Sequence, residues 1–322
     1  MDCTNKLQVI VGDATIGMRG NGFSYIFSGE RAGMESLVQN GKEWLYRAPK
    51  PTFWRALTDN DRGCGFALKS GMWIGADCFI KCVGIMVSID DQPVAVPLAP
   101  ENNVYGGAVE ADRASVTFVY ETITVPETQV TVSYEVHAGG DIHVRVHYAG
   151  KEGLPELPVF GMRFIMPTCA DRYRYEGLSG ETYPDRMAGG VPGIYEIEGL
   201  PVTPYLVPQD CNVHMQTKWV EVYRSTTLNN SDKEAKESAI RVRAEDDSDI
   251  AFACIPYTSM ELENATHQEE LPLPRRTVLT VLGAVRGVGG INSWGADVEA
   301  PYHISAEKDI DYGFWIDGVK NC

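Results

Sequence analysis

No apolar run in this sequence approaches the roughly 18 residues that a helix needs to cross a bilayer. The first twelve residues carry Asp2 and Asn5 where a secretory signal would have a basic patch and an apolar stretch. Both absences lead to the expectation of a cytoplasmic chain without membrane contact. Positive charge is also scarce. There are 28 Lys and Arg against 44 Asp and Glu, a net charge of −16. A field of that sign repels phosphate backbones and argues against nucleic acid as a partner. It leaves a neutral ligand such as a sugar as the easier fit.

Paired cysteines are lacking. The eight Cys stand at positions 3, 64, 78, 82, 169, 211, 254 and 322, and none forms C-x-x-C. Cys78 and Cys82 are nearest, with no His or second pair at zinc-finger spacing. Without a secretion signal, free thiols are expected. Cys254 lies in the apolar run Ala251-Phe252-Ala253-Cys254-Ile255 and is expected to be buried and inert. H-E-x-x-H, G-x-S-x-G, G-x-G-x-x-G and G-K-[ST] are all missing, which removes the readings those patterns carry. His143 and His147 fall on one predicted strand, about 13 Å apart if it is flat, too far to share a metal. His267, among polar neighbours, is the best isolated acid–base candidate, against a plainer role at a helix C-terminus.

What is present is period-two alternation. Residues 115–120, 129–136 and 141–148 alternate apolar and polar residues, rich in β-branched and aromatic types. Ala138-Gly139-Gly140-Asp141 marks a turn between the last two, so a hairpin meander with one buried face is expected. Further strands are expected at 6–11, 23–27, 159–165, 219–223, 239–244, 250–255 and 277–284. The 32 Gly and 18 Pro are spread along the chain, as short strands joined by tight turns require. Helical signals are few: one within 66–82, and one at 258–265, where Thr258 and Glu261 have capping-box spacing. Residues 229–237 read as a polar surface loop. No repeat or linker divides the chain, so the expected organisation is all-β, one antiparallel sandwich domain over residues 1–322.

Two segments are dense in chemistry. Pro51-Thr52-Phe53-Trp54-Arg55-Ala56-Leu57-Thr58-Asp59-Asn60-Asp61-Arg62-Gly63 suggests Ca²⁺ through Asp59-Asn60-Asp61. It lacks the alternating ligands and distant Glu of an EF-hand loop, and a capped turn is favoured. Val285-Arg286-Gly287-Val288-Gly289-Gly290-Ile291-Asn292-Ser293-Trp294-Gly295 is glycine-rich without being a phosphate loop. Its glycines permit unusual backbone angles around one large side chain, Trp294. An exposed indole is a platform for the C–H face of a sugar. Burial of Trp294 between sheets is the alternative, and residue types alone do not separate the two.

Four motifs carry a family resemblance. Phe53-Trp54-Arg55-Ala56 with Thr58-Asp59-Asn60-Asp61-Arg62-Gly63 resembles the F-W-R-A-x-T-D-N-D-x-G run of the last domain of long β-galactosidases of glycoside hydrolase family 2. Gly177-Leu178-Ser179-Gly180-Glu181-Thr182-Tyr183-Pro184-Asp185-Arg186 is similar to that domain's G-x-G-P-x-E-x-Y-P-D-R, with Ser179-Gly180 where Gly-Pro is usual. Pro256-Tyr257, Glu261-Leu262-Glu263 and His267 resemble its P-Y-x-x-x-E-L-E-x-A-x-H. Gly287-Val288-Gly289-Gly290 with Ser293-Trp294-Gly295 resembles its G-x-G-G-x-x-S-W-G. The order is the family's, and the likeness covers essentially the whole chain.

Nothing in the chain resembles the jelly-roll, immunoglobulin-like or barrel domains of those enzymes, which carry the catalytic Glu pair and Mg²⁺. The resemblance is therefore to the small subunits of two-chain β-galactosidases. It implies a galactose-mutarotase-like β-supersandwich. It implies a heterodimer, or higher oligomer, with a large subunit that cleaves β-galactosides such as lactose with retention and holds the Mg²⁺. This chain would bind no cofactor or metal, hold no catalytic residue and be inactive alone. Trp294 would touch substrate, with Asn292 and Ser293 shaping its loop. Two readings from other classes remain: a free-standing mutarotase or epimerase, using His267 or His214 with a Glu, and a non-catalytic carbohydrate-binding module.

Overall fold

The computed structural model describes residues 6–96, 107–226, 228 and 236–319. Every strand pairing among them is antiparallel, and the strands form three sheets. The largest has ten strands, with Arg113–Glu121, Gln129–His137, Ile142–Tyr148 and Ile310–Ile316 side by side at its centre. The expected meander is there: Val116 opposes Tyr134, and Tyr134 opposes Val144. Alternate residues of these strands are buried, which is the one-sided pattern their sequences carry.

A six-stranded sheet, including Leu7–Gly12 and Phe23–Ser28, and a five-stranded sheet lie against the ten-stranded one. Phe27 meets Tyr134 with ring centroids 5.4 Å apart, and Phe164 meets Phe314 at 6.1 Å. One apolar cluster draws on all three sheets, from Met18 and Tyr25 through Tyr134 and Phe314 to Phe160 and Leu279. The architecture is thus an all-β sandwich.

The five-stranded sheet positions the site. Its order is Val213–Thr217, Ile250–Ile255, Thr277–Val285, Val159–Met166, Arg47–Thr52. Ile250–Ile255 is buried on both faces. Phe252 and Cys254 enter the central cluster, while Ala251, Ala253 and Ile255 pack under Tyr183, Ala56, Cys211 and Leu262. Loops carrying the sequence motifs therefore roof the outer face of this sheet.

Two expectations need correction. The helix expected within 66–82 is short. Phe66–Ser70 is helical, Gly71–Trp73 continues as one 3₁₀ turn, and Lys81–Ile89 is a strand containing Cys82. Gly65 and Gly75, at φ +71° and +70°, bound it on both sides. The other correction is the helix Asp59–Gly63, which takes the place of a turn. Thr58 caps it: its hydroxyl accepts from Asp61 N, and Asp61 reaches back to Thr58 N. The helix Ser259–Asn264 stands as expected, boxed by Thr258 and Glu261. Cys64, Cys78, Cys82, Cys169, Cys211 and Cys254 are free, with Cys254 buried. Cys3, Cys322 and residues 229–235 of the expected surface loop lie outside the described residues. No helix among them is long and apolar enough to cross a membrane.

Candidate functional site

Strand Thr277–Val285 ends by delivering Arg286, fully buried, to the root of the glycine-rich loop. A buried guanidinium needs all of its donors answered. Arg286 donates from Nη1 to Asp61 Oδ1 at 3.0 Å, from Nε to Glu156 and from Nη2 to Asp297, and lies 4.2 Å over the Phe66 ring. Arg55, also buried, donates from Nη2 to Asp61 Oδ2 at 3.1 Å and to the Gly287 carbonyl at 2.9 Å. Asp61 therefore joins the first motif to the fourth.

The second motif braces the same loop, and the third braces the first. Asp185 accepts from the backbone N–H of Val288 at 2.9 Å and of Gly289 at 2.8 Å, and Arg186 donates to the Gly289 carbonyl. Asn60 Nδ2 donates to the Val288 carbonyl at 2.8 Å. Glu263 Oε2 accepts from Trp54 Nε1 at 3.1 Å and Leu57 N at 2.8 Å, tying helix Ser259–Asn264 to the first motif. Two glycines are required. Gly290, at φ +77°, would carry a Cβ 2.8 Å from Asn60 Nδ2. Gly295, at φ +78°, would carry one 2.6 Å from the Gly63 carbonyl oxygen.

The product is a held loop with an unheld tip. Trp294 is 90% exposed, so burial between sheets is excluded. Asn292 Oδ1 accepts from Trp294 N at 2.8 Å and Ala296 N at 3.4 Å, closing the turn that raises the indole. Ser293 is exposed next to it. The indole thus stands in water on a cross-braced loop.

Charge around the root is tuned by contact. Burial would raise Asp297, but hydrogen bonds from Lys69 and Val298 N, with Arg286 beside it, bring it to about 2. Burial pushes Asp210 up to about 6, against the pull of Arg55 and of the Tyr183 hydroxyl, which donates to it at 2.9 Å.

The remaining candidates diverge from this loop's tip. Asp59, Asn60 and Asp61 point to different partners: Arg62, Val288 and the two buried arginines. They do not form a Ca²⁺ cage. Among the described residues, no group of three His, Cys, Asp or Glu is placed to hold a metal ion. His267 is exposed and caps the 3₁₀ turn Gln268–Glu270, with Nδ1 3.3 Å from Glu270. His214 is buried against Gly180 O, Asn212 Oδ1 and the Tyr173 hydroxyl, with no carboxylate among its partners. Burial lowers it to about 4, with the Gly180 carbonyl opposing. His143 and His147 pair separately with Glu245 and Asp311. Glu156 and Asp297 had no individual signal in the sequence; Arg286 and Asp185 stood inside the glycine-rich segment and the second motif with no role attached to them.

Comparison with known proteins places these motifs in context. The family model described as "Beta galactosidase small chain" matches residues 19–316. The "Beta-galactosidase small subunit" of Latilactobacillus sakei is 60% identical over 97% of this chain and 98% of its own length. A "Beta-galactosidase" of Halalkalibacterium halodurans is 32% identical over 97% of this chain but only 28% of its own length, and one of Streptococcus thermophilus is 31% identical, again over 28% of its length. The chain thus spans little more than a quarter of these longer relatives. A solved structure titled as a putative aldose 1-epimerase from Escherichia coli aligns with a TM-score of 0.43 at 10% identity, covering 97% of this chain and 99% of that one.

Proposed function

We propose the following role for this chain, which belongs to the β-galactosidase small-chain family: it completes an active site whose carboxylates lie on a separate large chain. It is a β-galactosidase subunit; the division of labour is the proposal. The large chain binds a terminal β-galactosyl unit and cleaves it with retention, as glycoside hydrolase family 2 enzymes do. That route needs a nucleophile and an acid/base carboxylate about 5–5.5 Å apart. Any Mg²⁺ belongs to that chain as well. The small chain, folded as one domain in the cytoplasm, closes one wall of the pocket and presents Trp294 to the sugar or its leaving group.

The carrying observation is the 90% exposure of Trp294 on a loop fixed by Asp61, Asp185, Asn60 and Arg286. An indole face offers flat apolar area with few rotatable bonds to restrain, so its contribution survives the entropy of binding. Asn292 holds the turn and Ser293 flanks the ring. The test is hydrolysis of a chromogenic β-galactoside by this chain alone and with the large chain from the same organism. Silence alone and turnover together supports the reading; turnover by this chain alone refutes it.

A further inference from the structure

Segment 65–79 leaves an apolar strip outside the core. Phe66, Ser70, Trp73 and Ala76 point inward and are buried. Of the residues that the short helix and the turn after it show to solvent, Leu68, Met72, Ile74 and Phe79 are apolar, and Lys69 and Cys78 stand among them. Leu68 is 94% exposed and Phe79 67%. Val125, 77% exposed, joins them from a neighbouring loop, its N–H directed to Met72 Sδ at 3.4 Å. Single exposed apolar residues are ordinary on a protein surface, but a run of five is not.

The strip is continuous with the Trp294 loop. Lys69 Nζ lies 3.0 Å from Asp297 Oδ2, Cys64 Sγ 3.7 Å from Asp297 Oδ1, and Gly295 packs on the Gly63 carbonyl. The helix that carries Leu68 is thus tied through Lys69 to the loop that carries Trp294.

We propose that this strip is the docking face for the large chain. The inference rests on the two-chain reading above and adds where the chains meet. Two observations choose this occupant. Longer relatives hold the equivalent of this chain in 28% of a single polypeptide, so there an apolar face like this one has the rest of the same chain available to cover it. Split into two polypeptides, the same contact becomes an interface between chains. And a second copy of this chain seated here would cover Trp294 without bringing a sugar pocket to it. The strip supplies the apolar centre of the contact and the Trp294 loop its functional edge, so assembly and completion of the pocket are one event.

The test measures association of this chain with its large chain by analytical gel filtration and light scattering. The L68E/F79E variant, whose changes lie in solvent, is expected to melt like wild type on its own and to bind the large chain at least tenfold more weakly. W294A is expected to bind like wild type while its turnover in the assembled enzyme falls roughly thirtyfold. V191E/I194E, exposed at and just before the edge strand Pro192–Glu198, is expected to bind unchanged. An L68E/F79E chain that binds at wild-type strength overturns the docking face while leaving the two-chain reading intact. So does V191E/I194E weakening binding as much, or L68E/F79E abolishing only self-association of this chain. Wild-type chains that never associate overturn both.

Discussion

Arg286 donates to Asp61 at 3.0 Å across 225 positions of sequence, with both side chains buried. Asp61 also answers Arg55, so one carboxylate balances two guanidiniums at the root of the Trp294 loop. Removing a partner from a buried charge network commonly destabilises by about 3–5 kcal/mol. Asp61→Asn keeps shape and the cap acceptor but removes the charge. It is expected to lower the unfolding free energy of this chain, measured by urea titration, by an amount of that order; an unchanged midpoint means that the network does not hold the loop.

Trp294→Ala separates function from folding. The side chain touches little of its own chain, so stability should change by no more than about 0.5 kcal/mol. In the assembled enzyme, kcat/KM for a chromogenic β-galactoside is expected to fall by roughly thirtyfold, about 2 kcal/mol of lost contact. Trp294→Phe should recover part of that. Full activity in the Ala variant removes the platform.

Gly295→Ala tests whether the loop's shape matters apart from its ring. The residue sits at φ +78°, and a methyl group there meets the Gly63 carbonyl at 2.6 Å. A Cβ in the left-handed region costs about 1–2 kcal/mol, and the contact forces the turn to move. Thermal unfolding should record a modest loss of stability. Turnover of the assembled enzyme should fall nearly as far as in the Trp294 variant although the indole is present.

Asp210 gives a pH signature. Folded, its carboxyl holds a proton up to about pH 6, because burial outweighs Arg55 and the Tyr183 hydroxyl; unfolded, it releases it near its ordinary 3.8. The native state therefore binds more protons between those values, and this group's contribution makes stability fall as pH rises through that window. Asp210→Asn should remove that slope. Unfolding free energies of the two chains measured at pH 4 and pH 7 should diverge with pH, the variant losing less.

The meander was legible because Arg113–Glu121, Gln129–His137 and Ile142–Tyr148 each bury one face, and period-two alternation reports that directly. Ile250–Ile255 was legible as a fully apolar run. Arg47–Thr52 was not: two prolines disguise it, tolerated because it is the edge of its sheet. Pro192–Glu198 was hidden for a related reason, as an edge strand with no fully buried residue. At the site, the sequence pointed to Trp294 and, in the third motif, to the capping of Thr258 by Glu261. It could not show that Asp61 and Asp185 meet around one loop, or that Glu263 ties the third motif to the first. Those contacts span 103 to 225 positions or pass through backbone groups, and neither leaves a local pattern.

The most direct measurement is turnover of a chromogenic β-galactoside as this chain is titrated into its purified large chain. The account predicts that neither chain turns substrate over alone and that activity rises with added chain to a plateau. Trp294→Ala should reach its plateau at the same concentration but at a lower level. Turnover by this chain alone, or a large chain equally active without it, contradicts the account.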